Sequence, residues 1–162
     1  MYLLFMVSLR AVAARRSIVG QMSVHVAVVA TVVLAVTYFT QAAVVPSSLA
    51  AGETEGIALL TMYNPHGLFI AMEEIGYLLM SLSFLLAAMM LSGDERLLRG
   101  VRWVFSAGFV VPILALVAYT IVYGLDRQDR FEVVALSVDW LVLIVNGVLL
   151  AALLRGRLRT NG

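Results

Sequence analysis

The chain of 162 residues has no cysteine and no lysine, three prolines, and few charges of either sign. Without cysteine there are no disulfides, no thiolate metal sites and no cysteine nucleophile. Without lysine all eleven basic side chains are arginines, set against ten carboxylates for a formal charge of +1. They sit in short clusters beside apolar runs and form no extended basic face, so nucleic acid is not an expected partner. The only two histidines, His25 and His66, lie near opposite ends of the first two apolar runs, which makes shared haem ligation implausible. There is no H-E-x-x-H zinc signature, no glycine-rich phosphate loop, no G-x-G-x-x-G turn and no G-x-S-x-G elbow. No catalytic residue, metal ligand or cofactor is therefore assigned. An enzyme stays open as one reading, because a carboxylate pair beside His66 can do acid–base work on a substrate that the sequence does not name.

Apolar residues are abundant. They make up 62% of the chain against 13% charged, and the mean hydropathy is +1.00. Soluble domains are nearer one-half apolar and one-quarter charged, so this excess calls for a lipid solvent. Four runs, 24–45, 68–91, 103–125 and 133–154, reach the roughly 20 apolar residues that cross a hydrocarbon core. They lack period-2 alternation, which makes them helices and not barrel strands. The expected fold is all-α: a polytopic membrane protein built as a four-transmembrane-helix bundle, one membrane domain over 1–162, with an outer loop at 46–65.

Arginine placement orients it. Arg10, Arg15 and Arg16 precede the first span, Arg96, Arg99 and Arg102 separate the second and third, and Arg155, Arg157 and Arg159 follow the fourth. Only Arg127 and Arg130 fall on the other side, offset by Asp126, Asp129 and Glu132. The positive-inside rule puts both termini in the cytoplasm and the protein in the cell membrane, with Trp103 as an inner interfacial anchor. Residues 1–23 are cytoplasmic or interfacial, and the apolar stretch 1–9 reads either as an anchor or as the remnant of a further helix. Residues 57–63 are expected to lie along the surface or dip back onto the bundle. Asn64 is placed to cap the second span with Pro65 at its first position, and Pro112 is expected to kink the third.

The residues out of place in lipid carry the functional reading. Glu73 and Glu74 lie about 10 Å into the second span at ~1.5 Å per residue, and Asp139 is expected at nearly the same depth in the fourth. Tyr38 and Gln41 of the first span and Tyr119 and Tyr123 of the third fall in that outer layer, with His66 at its mouth. Tyr77 shares a face with Glu73, and Asn146 lies two turns beyond Asp139. An ionised carboxylate facing lipid costs at least ~2.5–3.5 kcal/mol, so these groups should face the interior. The layer suits a small ligand, a cation or a proton. The same carboxyls can instead only fix helix register in a structural or subunit bundle. The lipid bilayer is the expected partner, with homo-oligomers or other membrane proteins open.

At YNPHGLFIAMEEIGYLLMSLSFL (63–85) and YGLDRQDRFEVVALSVDWLVLIVNGVLL (123–150), and upstream through TQAAVVPSSLAAGETEGIALL (40–60), the chain resembles a family of prokaryotic integral membrane proteins. That resemblance implies a four-helix membrane fold and brings no activity, ligand or catalytic residue with it.

Overall fold

Each of the four apolar runs forms a helix long and apolar enough to cross a membrane. The computed structural model describes residues 1–13 and 17–160, apart from the side chains of Val12, Gln128, Asp129 and 157–160. Arg15 and Arg16, and the side chains of Asp129, Arg157 and Arg159 counted above, thus lie outside the described residues. Every element among the described residues is helical. In order they are α1 (Tyr2–Val12), α2 (Ile18–Phe39), a π-helical turn (Thr40–Val44), α3 (Val45–Ala50), the single turn α4 (Ile57–Leu60), α5 (Leu68–Met90), α6 (Arg96–Tyr123), a 3₁₀ turn (Gly124–Arg127) and α7 (Gln128–Thr160).

α5 matches its apolar run to within one residue, but the other three long helices start before theirs, because hydropathy marks the stretch that suits hydrocarbon and not the point where helical hydrogen bonding stops. α2, the π turn and α3 are continuous from Ile18 to Ala50, so the first quarter of the expected outer loop is helical. The π turn lies just ahead of Pro46, which occupies the first turn of α3. Inside that continuous helix the proline removes one backbone hydrogen bond, and the π turn directly ahead of it is where the helical ladder becomes irregular. α6 starts at Arg96 and runs unbroken through Pro112. Asn64 does not cap α5: Gly67 holds that position. The Asn64 side chain instead accepts from the His66 amide at 3.1 Å and donates to the Ala58 carbonyl at 2.8 Å, knitting the turn before the helix.

α5 is the central element, in contact with α2 on one side and with α6 and α7 on the other. More than half of its span is buried (56%), against 17–22% for the other three. Two glycines let neighbours approach closely. A Cβ on Gly76 would fall 2.5 Å from Leu34 of α2, and one on Gly108 of α6 would fall 2.7 Å from Val142 of α7. Small residues at such crossings permit the close packing on which helix association depends when both phases are apolar. Phe84 of α5 and Phe105 of α6 meet at 5.4 Å and are fully buried.

α1 packs along α2 with Met6 and Leu9 buried, and its Phe5 ring stands 6.2 Å from that of Phe105. The Ser83 hydroxyl donates to the Met80 carbonyl at 2.7 Å, so the 2.5 Å contact between Tyr2 and Ser83 has the tyrosine as donor. Ser23 of α2 closes the group by donating to the Ser83 carbonyl.

The two ends differ in charge. Arg10 approaches Gly20, and Leu149 approaches Gly100, so the end of α1, the start of α6 and the end of α7 gather at one end. Arg10, Arg96, Arg99, Arg102 and Arg155 all belong to it. The opposite, loop end holds α4, the 3₁₀ turn and the start of α5, where Met62 donates its amide to Gln41 at 2.8 Å.

Candidate functional site

Helical geometry stacks side chains four apart on one face. On α5 this rule lines up Glu73, Tyr77 and Ser81, all buried, at steps of about 6 Å along the axis. Each is met by a polar group from a neighbouring helix. The Tyr77 hydroxyl stands 2.6 Å from that of Tyr38 on α2. The carboxyl of Glu73 lies beside the same Tyr38 hydroxyl, and Trp140 of α7 brings its indole to Tyr77. Tyr38 is held edge-on against Phe69 and is 41% exposed on the flank of the bundle. One turn farther on, Ser81 donates to Asp139 Oδ1 at 2.9 Å.

Asp139 and Asn146 are completely buried. Asp139 Oδ2 has no protein partner, and neither the oxygen nor the nitrogen of the Asn146 side-chain amide has one. Native interiors pair nearly all such groups, so orphans of this kind are where a proton, a water or a small polar ligand belongs. Among the described residues no three His, Asp or Glu side chains converge on one point.

The polar groups form a ladder, not a single layer. Asp139 is level with Ser81, eight residues and about 12 Å past Glu73 along α5. The expected common depth assumed that the fourth helix begins at 133. It begins at Gln128, which carries Asp139 about three turns in. Asn146 lies about 10 Å deeper still by the same rise per residue.

Glu74, about 100° around α5 from Glu73, does not join the ladder. It pairs with Arg127 at 2.7 Å, both side chains mostly buried, and Arg127 lies over the Phe131 ring at 6.0 Å. His66 stands 3.7 Å from Asp126 at the exposed mouth, a distance beyond a hydrogen bond. Gln41 is engaged by the loop amide already described. Tyr119 and Tyr123 stack on each other at 5.6 Å, with Arg130 4.6 Å above Tyr123, forming a separate surface group.

No family model, curated protein or solved structure matches this chain. The functional reading therefore rests on geometry. That geometry brings together Glu73, Tyr38 and Tyr77 of the expected residues, with Asp139 one turn farther on against Ser81 and Asn146 beyond it. It adds Ser81 and Trp140, which sequence reasoning did not assign. The four-residue step from Tyr77 was the available sign of Ser81. Trp140 is reached only through the crossing of α7 over α5, which no local pattern records.

Proposed function

We propose that this chain is a multi-pass protein of the cell membrane, both termini cytoplasmic, whose ladder takes up and passes protons. Four long apolar helices and the gathering of arginines at one end support the placement. One observation supports the chemistry above all: Asp139 is wholly buried, holds a single hydrogen bond and has no cationic partner among the described residues. A carboxyl so placed is poorly suited to permanent ionisation, since uncompensated burial of charge is far costlier than a single hydrogen bond returns. It is well suited to exchanging a proton. Glu73 at the loop end, the tyrosine hydroxyls and Ser81 are the intermediate donors and acceptors. Tyr77 and Ser81 stand one helical turn apart, about 6 Å in axial rise, and water would carry the proton between their hydroxyls.

The hydrogen bonds from Ser81 to Asp139 and between Tyr38 and Tyr77 also favour a second reading, in which the same groups only fix the register of α5 against α7 and α2. Reconstituted vesicles with an entrapped pH indicator separate the two. Under a proton gradient the wild type is expected to acidify the lumen faster than empty vesicles, and Asp139→Asn and Glu73→Gln to abolish the difference while still inserting. Equal rates for wild type, variants and empty vesicles would remove the relay and leave the register role.

A further inference from the structure

Beside the ladder, α1 and α7 stand apart along one flank and leave two adjoining apolar hollows of about 440 and 280 Å³ that share Phe5 and Ser8. On α7 the wall runs from Trp140 to Leu154, about 21 Å at 1.5 Å per residue. Gly147 lies in it, and a Cβ added there would meet nothing within 4 Å. Arg155 follows at once. It is exposed and lies one turn beyond Ala151, on the same wall of α7.

We propose that this groove binds an anionic phospholipid, one acyl chain lying between α1 and α7 and the phosphate resting against Arg155. Two features favour that occupant over a helix of a second copy. The groove's length matches one leaflet, about half of a 40–45 Å bilayer, whereas a spanning helix needs the full width. The apolar wall ends in a cation at the arginine-rich end, which is the order of groups in a lipid with an anionic head. The inference rests on the membrane placement above and not on the proton relay.

The test uses the full chain extracted from membranes in mild detergent, with phosphatidylglycerol and phosphatidylcholine as probes in native mass spectrometry. Wild type is expected to retain one phosphatidylglycerol, preferred over phosphatidylcholine by about fivefold, the worth of one arginine near an anionic surface. Arg155→Gln should retain lipid and lose the preference. Gly147→Leu should fill the groove and lose the bound lipid, while melting in lipid-free detergent no lower than wild type, since leucine is the better helix former. Ala151→Leu, at an exposed position of the same wall, should behave alike. Indifference to headgroup, lipid retained by both leucine variants, or a lipid-free dimer sealed through this face would each overturn the proposal. Recovery of the chain in carbonate-washed membranes tests the placement separately: present there but without lipid, this inference alone fails.

Discussion

Asp139 and Ser81 form a pair whose members are unequal in consequence. Ser81→Ala removes the one protein hydrogen bond that Asp139 makes and leaves the buried carboxyl without a protein partner. A loss of about 1–3 kcal/mol is expected, read as a lower unfolding midpoint in detergent. Adding Asp139→Leu should restore most of it, because replacing both partners with apolar groups removes the desolvation penalty along with the bond. A double variant as unstable as Ser81→Ala would show that Asp139 has another partner. Tyr2→Phe tests a milder case. Ser83 keeps its bond to Met80 when the tyrosine donor is gone, so a cost of only about 1 kcal/mol is expected.

Single residues were the most legible part of this site and their partners the least. Glu73, Glu74, Asp139 and Asn146 stand out in the sequence because lipid does not tolerate such groups without reason. Which of the two adjacent glutamates turns inward depends on how α5 is rotated against three neighbours, and that rotation puts Glu73 at 2% exposure while Glu74 reaches Arg127. The arginine was visible only as a charge on the less basic side. Its role follows from the 3₁₀ turn, which brings it back over the start of α5.

Among the elements, the four long helices could be read from apolar length alone, and α5 as the centre from its small residues. The ends of α5 could be read to within one residue, but those of the other three could not, since charged residues such as Arg96 and Arg99 continue a helix as readily as they end an apolar run. The crossing of α2 and α5 gives a direct test. Gly76→Leu places a branched side chain where Leu34 already stands. Overpacking of this kind costs about 1–3 kcal/mol, and Leu34→Ala in the same chain should return part of it. Arg127→Gln leaves Glu74 mostly buried beside an uncharged partner. It is expected to loosen the link between α5 and the 3₁₀ turn, seen as faster amide exchange over 124–131 with little change at the arginine-rich end. Uniformly faster exchange would instead mean that the pair holds the whole bundle.

For the whole molecule, the charge asymmetry predicts orientation. Reporter fusions active only in the cytoplasm are expected to work at 93–95 and after 160, and to fail at 52–56. Exchanging Arg96, Arg99 and Arg102 for glutamine should weaken that bias, because the rule counts arginines close to the spans. Unchanged topology after that exchange would place the signal in the flanking arginines of α1 and α7.

The position of α5 has a further consequence. Four helices around a shared axis can part to make a lumen, but here one helix occupies the axis itself and the others lean on it. Such a bundle has a spindle where a channel would have a bore. A hydrated ion needs a continuous column of water, and α5 stands where a shared lumen would run. A proton needs only successive oxygens, which the flank of α5 carries in Glu73, Tyr77 and Ser81. Selectivity for protons over other cations would then come from the arrangement of helices, with no filter required.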